Sequence, residues 1–466
     1  MKRVAGFPYF EVELDTEGRV VDRAQVEALT GHVGGGGASD LLVLSHGWNN
    51  DTAEARSLYE RLLASMAAQL PGVPGAAGRV FAVMAVLWPS KKFAERDLIP
   101  GGAAGLGGAD GGVTEADLRA QLAELEGAFD EEGADEALAE AKELVGRLED
   151  SAEARRRFVD VLRDTLLRPE EIESDDETAA EVPSELHELP GDEVLDRLAE
   201  APEEDGDVDF DAGGAAGIGG VGGVGGVGGA DAGGAADLEA GGAAGFGELF
   251  GGVKEGAQNF LNLLTYYKMK KRAGIVGAGG AHRVLREVRR AAPGIKLHLV
   301  GHSFGGRLVS AAASGPDDAP ALPVDSISLL QAAFSHYGFA DRWDPPKDSP
   351  GFFRRVLDGD RLRGPMIVTH TANDRAVGIA YPLASRLARQ VAAALGDEND
   401  VFGGLGRNGA LKTPEARRGE LLAPGGEYEL AGGSVFNLKA DRFVSNHSDV
   451  AGEAVAYAIL SAVAAT

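Results

Sequence analysis

Three side chains spread through the second half of this 466-residue chain are of the types that nucleophilic catalysis requires. Ser303 stands at the centre of Gly301-His302-Ser303-Phe304-Gly305, the only G-x-S-x-G in the sequence. A serine hydroxyl is a weak nucleophile at neutral pH. It needs a base within hydrogen-bond reach, and that base must be held by a third group. The histidines after Ser303 are His336, His370 and His447. His447 lies in Val444-Ser445-Asn446-His447-Ser448-Asp449, after the last apolar strand and before a terminal helix, and is the best-placed base. His370 ends a strand and reads as a packed residue. Asp374 follows the apolar stretch 365–369 and is the preferred orienting carboxylate, while Asp341, Asp344 and Asp358 in polar stretches are its alternatives. Acyl chemistry also requires two preorganised N–H donors for the developing oxyanion. The backbone of Phe304 supplies one, and Trp48 in Leu44-Ser45-His46-Gly47-Trp48 supplies the other.

These groups need rigid elements to hold them. Lys296-Leu297-His298-Leu299-Val300 reads as a buried strand running into Ser303, and residues 306–313 read as the helix that leaves it. Strand, sharp turn, serine and helix make the context of a nucleophile elbow. Leu41–Leu44 and Val80–Leu87 are continuous apolar runs, as expected of strands covered on both faces. Residues 326–330 and 365–369 add two more. Helices are expected over 52–70, 260–272, 281–291, 382–395 and 450–464. Hairpins are expected around Asp15–Gly18 and around Ala431-Gly432-Gly433. Alternating strands and helices predict an α/β protein with a mainly parallel central sheet covered on both faces.

With its strand-end His46-Gly47-Trp48, its elbow, a post-strand Asp374 and a late His447, the chain resembles the α/β-hydrolase superfamily over roughly residues 1–90 and 265–466. The order Ser303, Asp374, His447 is that superfamily's triad order. The resemblance implies a serine hydrolase acting on an ester, thioester or amide of a small-molecule or acyl substrate. Acyl transfer uses the same parts. Two features depart from the pattern: a long segment between the strand at 80–87 and the elbow, and an extra loop over 396–426.

That long segment divides the chain into a first core portion (1–90), an acidic and Gly-rich insertion (91–259) and a second core portion (260–466). Between Lys91 and Gly252 there are 42 acidic and 12 basic residues, so this stretch accounts for the whole net charge of −28. Residues 114–168 read as one or two acidic helices and 169–211 as disordered. From Gly213 to Gly252, 19 of 40 residues are glycine, a flexible-linker composition. The insertion could act as a lid, or it could be the working part of a scaffold protein that binds a protein partner. Its charge argues against nucleic acid as a partner. The cations Lys268, Lys270, Lys271 and Arg272 read as a solvated helix end, with the acidic segment as their alternative partner.

No cysteine is present, so neither a disulfide nor a thiolate metal site can form. No P-loop ending and no His-x-x-x-His beside a helical glutamate occurs, so neither a nucleotide cofactor nor a metal is expected. The absence of an apolar run of about 20 residues predicts no membrane span, and a cytoplasmic location follows. Phe334, Tyr337, Phe339 and Trp343 form an aromatic cluster that could wall a substrate pocket or pack as core.

Overall fold

The structure, a computed structural model, describes residues 1–48, 50–90, 112–168, 182–199, 252–343, 349–374, 387 and 402–466. The Gly-rich tract, most of 169–211, the helix expected over 382–395 apart from Leu387, and Asp344 lie outside these residues.

Nine strands form one sheet: β1 (Lys2–Val4), β2 (Phe7–Glu13), β3 (Asp40–Ser45), β4 (Phe81–Leu87), β5 (Lys296–His302), β6 (Ser326–Leu330), β7 (Met366–His370), β8 (Ala416–Glu420) and β9 (Val435–Lys439). Their order is β1-β2-β4-β3-β5-β6-β7-β9-β8, and every pairing except β1 with β2 is parallel. The protein is therefore of the α/β class with a mainly parallel sheet. The apolar runs at 41–44 and 81–87 are buried along their whole length, because helices cover both faces of a parallel sheet.

Alternate strand residues divide the core. Leu41, Val43, Met84, Leu297 and Leu299 face a layer containing α1 (Arg23–Gly34), α8 (His282–Ala291) and α9 (Phe304–Ser314). Leu42, Leu44, Val83, Ala85 and Val300 face α2 (Thr52–Gln69) and α10 (Glu453–Ala464). Asp51 caps α2 in a reciprocal capping box with Glu54, satisfying two backbone donors that the helix leaves open.

The hairpin expected around Asp15–Gly18 closes as a short one: Leu14 bridges Val20, and the Val21 N–H donates to the Glu13 carbonyl at 2.9 Å, while the body of β2 pairs with β1 and β4. The second hairpin expectation needs correction. Val435–Lys439 pairs in parallel with β7 and β8. Glycines at 432–433 signalled a turn, but the partner strand came from Ala416–Glu420, inside the stretch read as an extra loop.

The acidic segment is more ordered than its composition suggested. Residues 115–125, 134–144 and 152–166 form three helices, α3, α4 and α5, and Gly191–Ala199 forms α6 within the stretch expected to be disordered. Their leucines, including Leu118, Leu122, Leu138, Leu162, Leu195 and Leu198, join the same hydrophobic core as the sheet. α3, α5 and above all α6 pack on α7 (Val253–Ile275), which is buried on almost every side, while α4 packs on α3 and α5. Lys268 pairs with Glu131, and Arg272 donates to the Ala128 carbonyl at 2.8 Å and to Asp130 at 3.1 Å. Lys268 and Arg272 therefore face the acidic segment and are not part of a solvated helix end. Among the described residues, no helix is long and apolar enough to cross a membrane.

Candidate functional site

Chain order reverses direction between β3 and β5: β4 lies on one side of β3, whereas β5, β6 and β7 follow on the other. Such a switch point leaves a crevice at the carboxyl ends of the strands. Ser303 follows β5 there, with Gly301 in register with Ser45 at the end of β3.

Ser303 has φ 55° and ψ −126°, a conformation that a side chain rarely adopts. The surroundings hold it in place. Its N–H donates to the Leu330 carbonyl at 3.0 Å, and its carbonyl accepts from Gly306 at 2.9 Å and Ala333 at 3.2 Å. Glycines make this turn sterically feasible. A Cβ on Gly301 would lie 2.6 Å from the Gly306 nitrogen, and one on Gly305 would lie 2.6 Å from the His46 carbonyl and closer still to that of Ser45. A Cβ on Gly47 would meet Cβ of Ser303 at 2.6 Å. The loop after β3 is thus pressed directly against the serine.

His46 shapes that loop. Trp88 N–H donates to its Nε2 at 3.3 Å, so Nδ1 carries the proton and donates to the Gly47 carbonyl at 2.9 Å. The His46 N–H donates to the Tyr59 hydroxyl, which donates to the Val86 carbonyl. Full burial lowers the His46 pKa to about 4, so the ring is neutral. The Trp48 ring stacks on Phe304 at 5.9 Å, and Tyr266 of α7 packs against both. Phe304 is the first residue of α9, so its N–H lies outside the intrahelical ladder at the positive end of the helix.

Asp374 and His447 come together across 73 positions of sequence: His447 Nδ1 lies 2.8 Å from Asp374 Oδ2, and Asp374 is fully buried. Fastening of their two loops was not foreseen from sequence. Asp441 accepts from the Thr371 hydroxyl at 2.8 Å and the Ala372 N–H at 3.1 Å. Burial opposes ionisation of Asp441, but these bonds and Lys439 hold its pKa below the ordinary carboxyl range. Asn373 reaches the Asp441 and Val444 carbonyls. Ser445 N–H and Oγ donate to Asp449, which fixes the loop carrying His447. Of these contacts only the Ser445–Asp449 turn is local enough to be signalled in the sequence.

His302 connects the serine turn to His447. Its Nε2 donates to the His447 carbonyl at 2.9 Å, and the two rings lie 4.9 Å apart. Burial, followed by the neighbouring His447, lowers the His302 pKa to about 3. Among the described residues, the Ser303 hydroxyl and His447 share no hydrogen bond.

The aromatic cluster is split. Phe334 and Phe339 are fully buried, and Phe334 packs edge-on with both Phe339 and Phe353, so they belong to the core and offer no open surface to a substrate. Tyr337 stacks on Trp343 at 5.5 Å beneath Lys412. His336 Nδ1 accepts from Asn408, and His370 Nδ1 donates to the Arg407 carbonyl at 3.4 Å. Neither joins Ser303. Among the described residues, no three His, Asp or Glu side chains are grouped to hold a metal. No protein-family model, curated protein or solved structure matches this chain.

Proposed function

We propose that the chain is a serine hydrolase of the α/β-hydrolase type, cleaving an ester, thioester or amide through an acyl-enzyme. The observation that carries this reading is the Asp374–His447 hydrogen bond, tied through His302 to a strained Ser303. In this mechanism Ser303 Oγ attacks the carbonyl carbon and His447 Nε2 takes the hydroxyl proton. Asp374 accepts from Nδ1–H, keeping Nε2 free as the base and stabilising the imidazolium that forms. Phe304 N–H and Trp48 N–H stabilise the oxyanion, helped by the positive end of α9. Collapse of the tetrahedral species passes the proton to the leaving group, and water repeats the sequence to release the acid. A different acceptor in place of water would make the same parts an acyltransferase.

The reading is tested with a fluorophosphonate probe, which phosphonylates activated serines. Wild-type protein should be labelled and Ser303→Ala should not. Labelling of Ser303→Ala at the wild-type level would remove the assignment.

A further inference from the structure

A cleft of about 680 Å³ lies at the carboxyl ends of β7, β9 and β8, toward the β8 edge and away from β5. Nothing in the proposed hydrolytic mechanism uses it. Its walls carry the cations Arg407, Arg418 and Lys439, with one carboxylate, Glu420. The charge balance of this lining is positive, in a chain whose net charge is −28. Charges of one sign gathered in a concave space focus potential and attract counter-ions.

The cations are positioned by backbone, not clustered by chance. Arg417 and Arg418 alternate across β8. Arg417 lies over the Phe436 ring, whereas Arg418, in register with Asn437, lines the cleft. Asn437 spends both ends of its amide on Ala410, at 2.8 and 3.0 Å, which makes a rigid floor. Arg407 leaves a short helical turn (Leu405–Asn408) and reaches the carbonyls of Ala372 and Asp374, each at 3.5 Å. Lys439 ends β9 and is 3.1 Å from Asp441. Burial keeps the neighbouring His370 imidazole below its ordinary pKa, so it adds a polar wall and not a fourth charge.

We infer that this cleft is a binding site for a small multivalent oxyanion, a phosphoryl or polycarboxylate group gripped by Arg407, Arg418 and Lys439. Two guanidinium forks and an ammonium match such oxygens with charge-assisted hydrogen bonds. Glu420 faces the hydroxyl or amine part of the same ligand. The cleft is larger than one inorganic anion requires, so the natural ligand carries a body beyond its charged head. This inference is independent of the hydrolase assignment, since none of the three cations belongs to the proposed triad or oxyanion donors.

Calorimetry of the full-length protein, with pyrophosphate and citrate titrated separately at constant ionic strength, tests the site. Saturable binding of either probe is expected, and the preferred probe separates phosphoryl from carboxylate chemistry. Arg418→Ala and Lys439→Ala should each weaken binding by about tenfold or more, the loss of one charge-assisted contact. Arg418 and Lys439 are exposed, so circular dichroism should show both variants folded. Arg418→Lys, which keeps charge without the fork, should fall between wild type and alanine. Arg355→Ala, outside the cleft, should bind like wild type. No binding of either probe up to about 1 mM, or equal affinity in wild type, Arg418→Ala and Lys439→Ala, would overturn the assignment.

Discussion

Acidification should unfold this protein earlier than its carboxylates alone would require, because the loop beside Ser303 is built on imidazoles that the native state keeps neutral. Burial is the main cause at both His46 and His302, whose native pKa values fall to about 4 and about 3. In the unfolded chain both return to about 6.5. The sign follows from which state takes up protons. Below pH 6.5 the unfolded state binds them and the native state does not, so stability is complete above 6.5 and falls as pH drops toward the native values. At pH 5 each residue costs about 2 kcal/mol, so the pair costs about 4 kcal/mol relative to pH 8, with a slope near 2.7 kcal/mol per pH unit. His298, also held below its ordinary pKa by burial, adds in the same direction. Asp40 is the internal contrast. Burial opposes its ionisation, but bonds from His298, Ser39 and Arg79 pull it to about 2, so its contribution is lost only below about pH 4. Urea unfolding at pH 8 and pH 5 gives the difference directly. His302→Gln removes one titrating group and should flatten the slope by about 1.4 kcal/mol per pH unit. Equal slopes in wild type and His302→Gln would refute the argument.

Three further outcomes follow from the site and its supports. Asp374→Asn should keep the fold but lower the fluorophosphonate labelling rate by roughly 10²- to 10⁴-fold, because the amide cannot stabilise a charged His447; labelling within threefold of wild type would count against the pairing. Gly305→Ala forces a methyl against the Ser45 and His46 carbonyls, so it should cost about 1–3 kcal/mol or more in thermal unfolding and abolish labelling. Arg272→Ala removes a largely buried guanidinium that holds the Ala128 carbonyl and Asp130. Hydrogen exchange should accelerate in the turn between α3 and α4 while the sheet stays protected, and uniform exchange throughout would contradict that local role.

The parts of the fold legible in the sequence were those with local signals. Phe81–Leu87 is apolar throughout and Leu297, Leu299 and Val300 are the apolar positions of the strand before the elbow, and the glycines around Ser303 mark a turn that only their small size allows. Non-local decisions were not visible. Ala416–Glu420 reads Ala-Arg-Arg-Gly-Glu, with no apolar alternation, because it is an edge strand whose side chains face water, and its strand state depends on β9. Gly191–Ala199 is similar. Acidic composition suggested disorder, but Val194, Leu195 and Leu198 fall on one helical face, and that face is stable because α7 covers it. At the site, Ser303, Asp374 and His447 were legible from type and order. Asp441, Asn373 and His302 were not, because their roles consist of contacts to another loop's backbone.

The acidic segment is where composition and structure diverge most, and charge pairing explains how a stretch with so many carboxylates can be folded. Arg156 pairs with Asp192 and Arg157 with Glu140 within the segment. Lys254 pairs with Glu149 and Lys268 with Glu131 across to α7. The solvent-facing pairs of Arg156 and Arg157 contribute little individually. Their larger effect is to offset repulsion, leaving the leucines of α3 to α6 to supply the net stabilisation by burying apolar surface on α7. The same helix places Tyr266 5.0 Å from Phe304 and at the edge of Trp48. One element therefore bears the acidic helices on one side and both proposed oxyanion donors on the other. Any ligand, ion or partner that displaces α3–α6 must uncover the apolar face of α7, and α7 cannot shift without disturbing the packing beside Ser303. The described acidic helices thus pack on the same helix that packs beside Ser303.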